Sequence, residues 1–275
     1  LTSLVNELVD FPQETVLVLD DYHSISQQTI HDSVSYLLEN SPPQVYFIIA
    51  SRADPPLPIS RLRGRGQVAE LRQSDLRFTH QEAAEFLRVI EAAQLSEGDI
   101  DSLADRTEGW IAGLQMAAAS LQDQGNVSAF IQEFTGSNRF ILDYLMDEVL
   151  DNQTEAIQSF LLNTSILDQL CAPLTDHILS GLINVRTSSQ AVLEDLEHKN
   201  LFIIPLDDHR EWYRLHRLFV DLLRQRLELQ HPDRKPILHQ RASNWYEENG
   251  FSEEAIEHAF SAGDHKRAAE LIEAS

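Results

Sequence analysis

Cysteine is almost missing from this chain. Cys171 stands alone, so no internal disulfide can form, and a reducing cytoplasm is the compatible and expected location. Glycine and lysine arrive late: the first glycine is Gly64 and the first lysine is Lys199. The sequence therefore holds no glycine-rich loop ending in Lys-Ser/Thr, the usual cradle for nucleotide phosphates. No apolar run reaches 18 residues, which argues against a membrane-spanning helix. Leu1 to Asp10 lacks the basic start and apolar centre of a signal peptide and reads as an acidic amphipathic helix entered in mid-domain. Positive charge is scarce as well. With 21 Lys+Arg against 44 Asp+Glu, the net charge of −23 argues against a general nucleic-acid binder, which needs clustered cations. Gly-x-Ser-x-Gly and His-Glu-x-x-His are both missing, and Cys171 sits in no motif, so no competing catalytic pattern stands out.

The most informative residues lie near the amino terminus. Val16-Leu17-Val18-Leu19 runs straight into Asp20-Asp21. Such a run is expected to be a buried parallel strand delivering two carboxylates to the carboxyl edge of a sheet. There they can hold Mg²⁺ and a water beside a nucleoside triphosphate. Aspartate also begins many turns after strands, and on spacing alone both readings stand. Between Arg52 and Arg77, six arginines (52, 61, 63, 65, 72 and 77) meet only Asp54, Glu70 and Asp75. This local positive charge suits a polyphosphate neighbour or a solvated loop. His23 has no second His or Cys at ligand spacing, which favours a structural role.

A length of 275 residues suggests two or three domains. Residues 1–77 read as α/β. A helix over Gln27–Glu39, with Ile30, Val34, Leu37 and Leu38 on one face, links the first strand to a second at Val45–Ala50, a βαβ unit. A third strand is expected near Val68–Leu71, after the rigid loop Asp54–Pro58. Residues 78–150 read as all helix. Thr79-His80-Gln81-Glu82 is a capping box opening a helix that carries Ala83, Phe86, Leu87 and Ile90. Further helices are expected from Ser96, over Gly109–Leu121 and over Asn138–Leu150.

In residues 151–230, three helices (about 153–163, 173–181 and 188–199) precede a hairpin of Leu201–Leu206 with Glu211–Leu215, and a helix follows from Arg217. This is the winged-helix plan. Its 7 basic against 12 acidic residues over 151–228 favour packing over DNA contact. Residues 231–275 read as paired helices, with Trp245, Gly250, Ala255, Ala259 and Ala262 at tetratricopeptide-like spacing and Asp264 capping the last helix. A repeat of that kind buries its faces poorly alone, so the natural chain is expected to begin earlier and continue further.

Six motifs occur in one order: Val-Leu-Val-Leu-Asp-Asp-Tyr-His (16–23), Ala-Ser-Arg (50–52), Leu-Arg-Gly-Arg-Gly-Gln (62–67), Asp-Leu-Arg-Phe-Thr (75–79), Glu-Gly-Trp-Ile-Ala-Gly-Leu-Gln (108–115) and Leu-His-Arg-Leu-Phe (215–219). Together they resemble the MalT-type STAND regulatory ATPases, the ATP-dependent activators of the LuxR group. The resemblance implies a mostly α chain. It would hold part of a P-loop NTPase domain without its phosphate loop, then a helical lid, a winged helix and the start of a helical arm.

The resemblance also implies roles. Asp20 would hold Mg²⁺ through water and Asp21 would position the attacking water. Arg52 would read the γ-phosphate, where a guanidinium forks onto two oxygens, or serve as a surface arginine before a proline loop. Gly109 and Trp110 would pack on the adenine side or simply start a helix. His216 would touch the β-phosphate of ADP or be a structural histidine. The implied parent is a weak regulatory ATPase. ADP closes it, ATP and a small-molecule or protein inducer open it to self-association, and DNA is met only through a separate carboxyl-terminal domain. A scaffold with a vestigial nucleotide site is the alternative.

Overall fold

The computed structural model describes residues 1–89, 95–121, 131, 134, 138–182 and 188–274. The chain divides into two units, Leu1–Asp75 with His198–Asn200, and Leu76–Glu197 with Leu201–Ser275.

The first unit is α/β. Helix α1 (Thr2–Val9) leads to β1 (Thr15–Leu19), a 3₁₀ turn (Tyr22–Ser24), α2 (Gln28–Asn40), β2 (Val45–Ile49), α3 (Ile59–Gly64) and α4 (Gln73–Leu76). Pro42 and Pro43 follow α2 and withdraw two N–H donors, which ends the helix and starts the return to the sheet. β1 and β2 pair in parallel, with Thr15 opposite Val45 and Leu19 opposite Ile49. Gln44 anchors the entry to β2: its Nε2 donates to the carbonyls of Leu8 at 3.1 Å and Phe11 at 3.2 Å.

Three expectations need correction here. β1 is not buried on both faces, because Val16 is 53% and Val18 62% exposed, beside Tyr46 and Ile48 on β2. A two-stranded sheet covers one face in this unit, and alternate side chains point away from it. On α2, Ile30 is exposed and the inward position belongs to His31. No strand forms at residues 68–71. That segment is held by side chains: Glu70 accepts from Arg63 at 2.6 and 2.9 Å and from Arg72, which also pairs with Asp54. Arg61 pairs with Glu39. Much of the local positive charge is therefore balanced internally.

Among its described residues the second unit is helical apart from one hairpin. Helix α5 (His80–Val89) starts at the predicted box, where Thr79 N–H donates to Glu82 at 2.9 Å and Glu82 N–H to Thr79 Oγ1 at 3.2 Å. Ile90, expected on its face, lies outside the described residues. Helix α6 (Glu97–Thr107) has a second such box between Ser96 and Asp99. Then come α7 (Ile111–Leu121) and α8 (Arg139–Tyr144), continued by a π-helical turn at Leu145–Leu150. The single helix expected over Asn138–Leu150 thus widens midway. Asp151 N–H reaches Met146 O at 2.9 Å, five residues back, and Leu145, Met146, Val149 and Leu150 are all buried.

Helices α9 (Glu155–Thr164), α10 (Ala172–Leu179) and α11 (Ser189–His198) precede β3 (Ile203–Pro205), β4 (Tyr213–Leu215) and α12 (Arg217–Gln230). The hairpin strands are shorter than expected for local reasons. Asn200 and Phe202 adopt left-handed backbone at φ +50° and +54°, which ends the regular strand, although Phe202 O still accepts from His216 N–H at 2.7 Å. Asp207 captures the N–H groups of His209, Glu211 and Trp212, so the turn extends to residue 212. Tyr213 also bridges antiparallel to Leu170.

Helices α13 (Arg234–Glu248), α14 (Ser252–Ser261) and α15 (His265–Ala274) follow, each packed on the next. Ala242, Ala255, Ala259 and Ala268 are fully buried, so the backbones approach closely. Asp264 caps α15 by accepting from Arg267 N–H at 3.0 Å. One apolar core runs from Ala83 to Leu271. Among the described residues, no helix is long and apolar enough to cross a membrane.

Candidate functional site

Asp20 follows the last residue of β1 and is exposed; its Oδ1 accepts the N–H of Asp21 at 2.9 Å. Asp21 sits in left-handed backbone at φ +49°, a conformation aspartate tolerates because its short side chain bonds locally. That reversal turns Tyr22 inward. Tyr22 is 1% exposed, its N–H donates to Ala50 O at 3.0 Å, and its hydroxyl meets His31 Nδ1 at 3.0 Å. The two acids therefore ride on a turn pinned from below by a buried tyrosine. Arg52 follows β2. Its N–H approaches His23 Nδ1 at 3.4 Å, and its carbonyl accepts from Asn200 Nδ2 at 2.8 Å. Asp20, Asp21 and Arg52 all belong to the first unit and all follow the carboxyl ends of two parallel strands.

Gly109, Trp110 and His216 belong to the second unit, and two of their side chains meet there. Helix α6 ends on Glu108 at φ +49° and Gly109 at φ +72°. Gly109 has no alternative: a Cβ there would stand 2.3 Å from Phe78 O, and Phe78 N–H donates to Gly109 O at 2.9 Å. The reversal projects Trp110 into an aromatic cluster, with Phe202 at 5.1 Å, Tyr144 at 5.5 Å and His216 at 6.1 Å between ring centroids. His216 is 2% exposed. Its Nε2 lies 3.0 Å from Thr107 O, and its buried Nδ1 has no hydrogen-bond partner among the described residues. A carbonyl only accepts, so Nε2 carries the proton and Nδ1 is left as a bare acceptor.

Glu108, to which sequence reasoning assigned no role, is the electrostatic centre of this region. Arg214 on β4 grips both its carboxylate oxygens at 2.8 Å, Arg217 N–H donates at 3.2 Å, and Arg77 lies at 3.7 Å. Its side chain is only 9% exposed. Burial pushes its pKa upward, but the Arg214 hydrogen bonds, His216 and Arg217 outweigh this and hold it below the usual carboxylate range. For His216 burial dominates and lowers the pKa, against the attraction of Glu108.

Residues 146–235 match the family model of the MalT winged helix domain. Over 273 residues the chain is 36% identical to the HTH-type transcriptional regulator MalT of Klebsiella pneumoniae (strain 342), covering 98% of this chain and 30% of that one. The MalT of Yersinia pestis (strain Pestoides F) is 36% identical over 96% of this chain and 29% of its own. The chain is a MalT-type segment. It is also 35% identical to the serine/threonine-protein kinase PknK of Mycobacterium tuberculosis (strain H37Rv), over 99% of this chain and 24% of that protein. The chain thus spans less than a third of the length of these relatives.

Within this MalT-type segment, the matched winged helix holds Arg214, His216 and Arg217, while Thr107, Glu108 and Trp110 precede it. Glu108 stood in a recognised motif, but nothing in the sequence pairs it with an arginine 106 residues away. The donors of the first unit are of the kind a magnesium nucleotide takes: hard carboxylate oxygens at Asp20 and Asp21 and a guanidinium at Arg52.

Proposed function

We propose that this MalT-type chain is the nucleotide-responsive switch segment of a transcriptional regulator. The observation that carries the reading is the parallel pairing of Thr15–Leu19 with Val45–Ile49, which sets Asp20, Asp21 and Arg52 just beyond the carboxyl ends of two adjacent strands. In this reading Asp20 holds Mg²⁺, through water, and Asp21 orients the water that attacks the γ-phosphate. Mg²⁺ supplies charge neutralisation on the phosphates. Arg52 reads the γ-phosphate, Gly109 and Trp110 serve the adenine side, and His216 answers to ADP. ADP favours a closed form and ATP with an inducer favours an open, self-associating form; slow hydrolysis resets the switch. The inducer, a small molecule or protein, and the DNA are assigned to other parts of the whole protein.

The test is made in the full-length protein. Asp20→Ala and Asp21→Ala are expected to abolish ATP hydrolysis while leaving nucleotide binding intact. ATPase activity unchanged by both substitutions overturns the assignment.

A further inference from the structure

Helices α13 and α14 carry a second group of chemistry-bearing side chains that the proposed switch does not use. His239 on α13 is 8% exposed, and its Nδ1 lies 2.8 Å from Nδ1 of His258 on α14. At that distance one Nδ1 donates its proton to the other. Tyr246 stacks on the His258 ring, 5.3 Å away at 21°, and restricts how that ring turns. Both imidazoles line a cavity of about 280 Å³, together with Asp168, Glu257 and Ser261. Two cations share this cavity, and each is already engaged. Arg224 donates to Ser165 O and Asp168 Oδ1, both at 2.7 Å, and Lys235 meets Glu228 at 3.2 Å. The Glu257 carboxylate has no ion-pair partner among the described residues.

We propose that His239 and His258 form a two-histidine site for a divalent transition-metal ion of the Zn²⁺ class. Imidazole nitrogen is a preferred donor for such ions. Zn–N bonds of roughly 2.0–2.1 Å in tetrahedral geometry set the two nitrogens about 3.3 Å apart. The observed 2.8 Å therefore needs to open by about half an ångström, and each ring must turn by about 35° so that its Nδ1 points to a shared ion instead of to the other nitrogen. On binding, the Nδ1 proton moves to Nε2 of the same ring through solvent. Both rings stay neutral, and both Nδ1 lone pairs face the ion. No three ligand side chains stand grouped among the described residues, so water completes the site, with Glu257 drawn in from the cavity wall. The ion would staple α13 to α14, where Ser243 Oγ already donates to Ala255 O at 2.8 Å.

Isothermal titration of the 275-residue chain with ZnCl₂ at pH 7 in a non-chelating buffer tests the site. We expect one ion per chain, with affinity reduced at least tenfold by His239→Gln and by His258→Gln and less by Glu257→Gln. Imidazole NMR on the unmodified chain guards against a variant that fails to fold: one equivalent of Zn²⁺ should shift the His239 and His258 resonances and spare the other histidines. Absence of uptake, uptake unchanged in both glutamine variants, or shifts confined to other histidines overturns the proposal.

Discussion

Glu108 and Arg214 are joined by two parallel hydrogen bonds of 2.8 Å, and they tie the end of α6 to the second strand of the winged-helix hairpin. A nearly buried carboxylate in this geometry is costly to leave alone. Removing Glu108 takes the carboxylate from a partly exposed Arg214, and removing Arg214 leaves Glu108 to Arg77 and the Arg217 N–H, so Glu108→Gln or Arg214→Gln is expected to destabilise the second unit by about 1–3 kcal/mol. The double variant should recover part of that loss, because neither group is then left charged and unpaired. Urea unfolding of the four proteins measures the coupling. Additive losses would mean that the two residues act separately.

Gly109→Ala is a sharper test of the same reversal. The new Cβ would meet Phe78 O at 2.3 Å, and alanine disfavours φ +72° in any case. Main-chain atoms bound to each other cannot yield as a flexible side chain does. A loss of about 2–4 kcal/mol is expected. Gly64→Ala is the control, since no atom lies within 4 Å of its would-be Cβ and its φ is ordinary; it should change stability by less than about 1 kcal/mol.

The contrast between these elements and the hairpin shows what was legible in the sequence. The capping box at Thr79 was readable because donor and acceptor lie three residues apart, whereas at Ser96 the helix start was read but not its box with Asp99. The two parallel strands were readable from their apolar runs, but a continuous run does not say how many strands flank it, and Val16 and Val18 are exposed. The spurious strand at 68–71 failed for a different reason: its side chains bond to Arg63, Arg72 and Asp54, not its backbone to a sheet edge. Asp20, Asp21, Trp110 and His216 were singled out by local motifs. Glu108 gains its importance from Arg214 and Arg217, and local motifs carry no record of contacts so distant in sequence.

The histidine pair on α13 and α14 predicts an acid-sensitive fold. Burial first, then the neighbouring charges of His258 and Lys235, push His239 down to about 4; burial likewise brings His258 to about 4. Unfolded histidine titrates near 6.5. Between pH 6.5 and 4 the unfolded chain therefore binds more protons than the folded one, and stability falls as pH falls through that window. The pair titrates as a unit and is partly solvent-screened, so the loss from pH 7 to 5 is expected to be on the order of 1–2 kcal/mol. Chemical denaturation at both pH values checks this, and His258→Gln should flatten the slope.

His216 offers a direct reading of nucleotide contact. Its Nε2 proton is committed to Thr107 O, and its Nδ1 is a buried acceptor with no partner among the described residues. A phosphate is also an acceptor, so Nδ1 can meet one only by taking up a proton and making the ring cationic. Burial opposes that charge in the free protein and lowers the pKa, while Glu108 favours it. We therefore expect His216 to stay neutral at pH 7 in the absence of ADP. In the full-length protein its pKa should rise when Mg-ADP binds, followed by NMR of the imidazole nitrogens. Glu108→Gln removes the favouring charge, so the rise should shrink in that variant. Binding of Mg-ADP with no change at His216 would remove this residue from the nucleotide site while leaving Asp20 and Asp21 to be judged on hydrolysis alone.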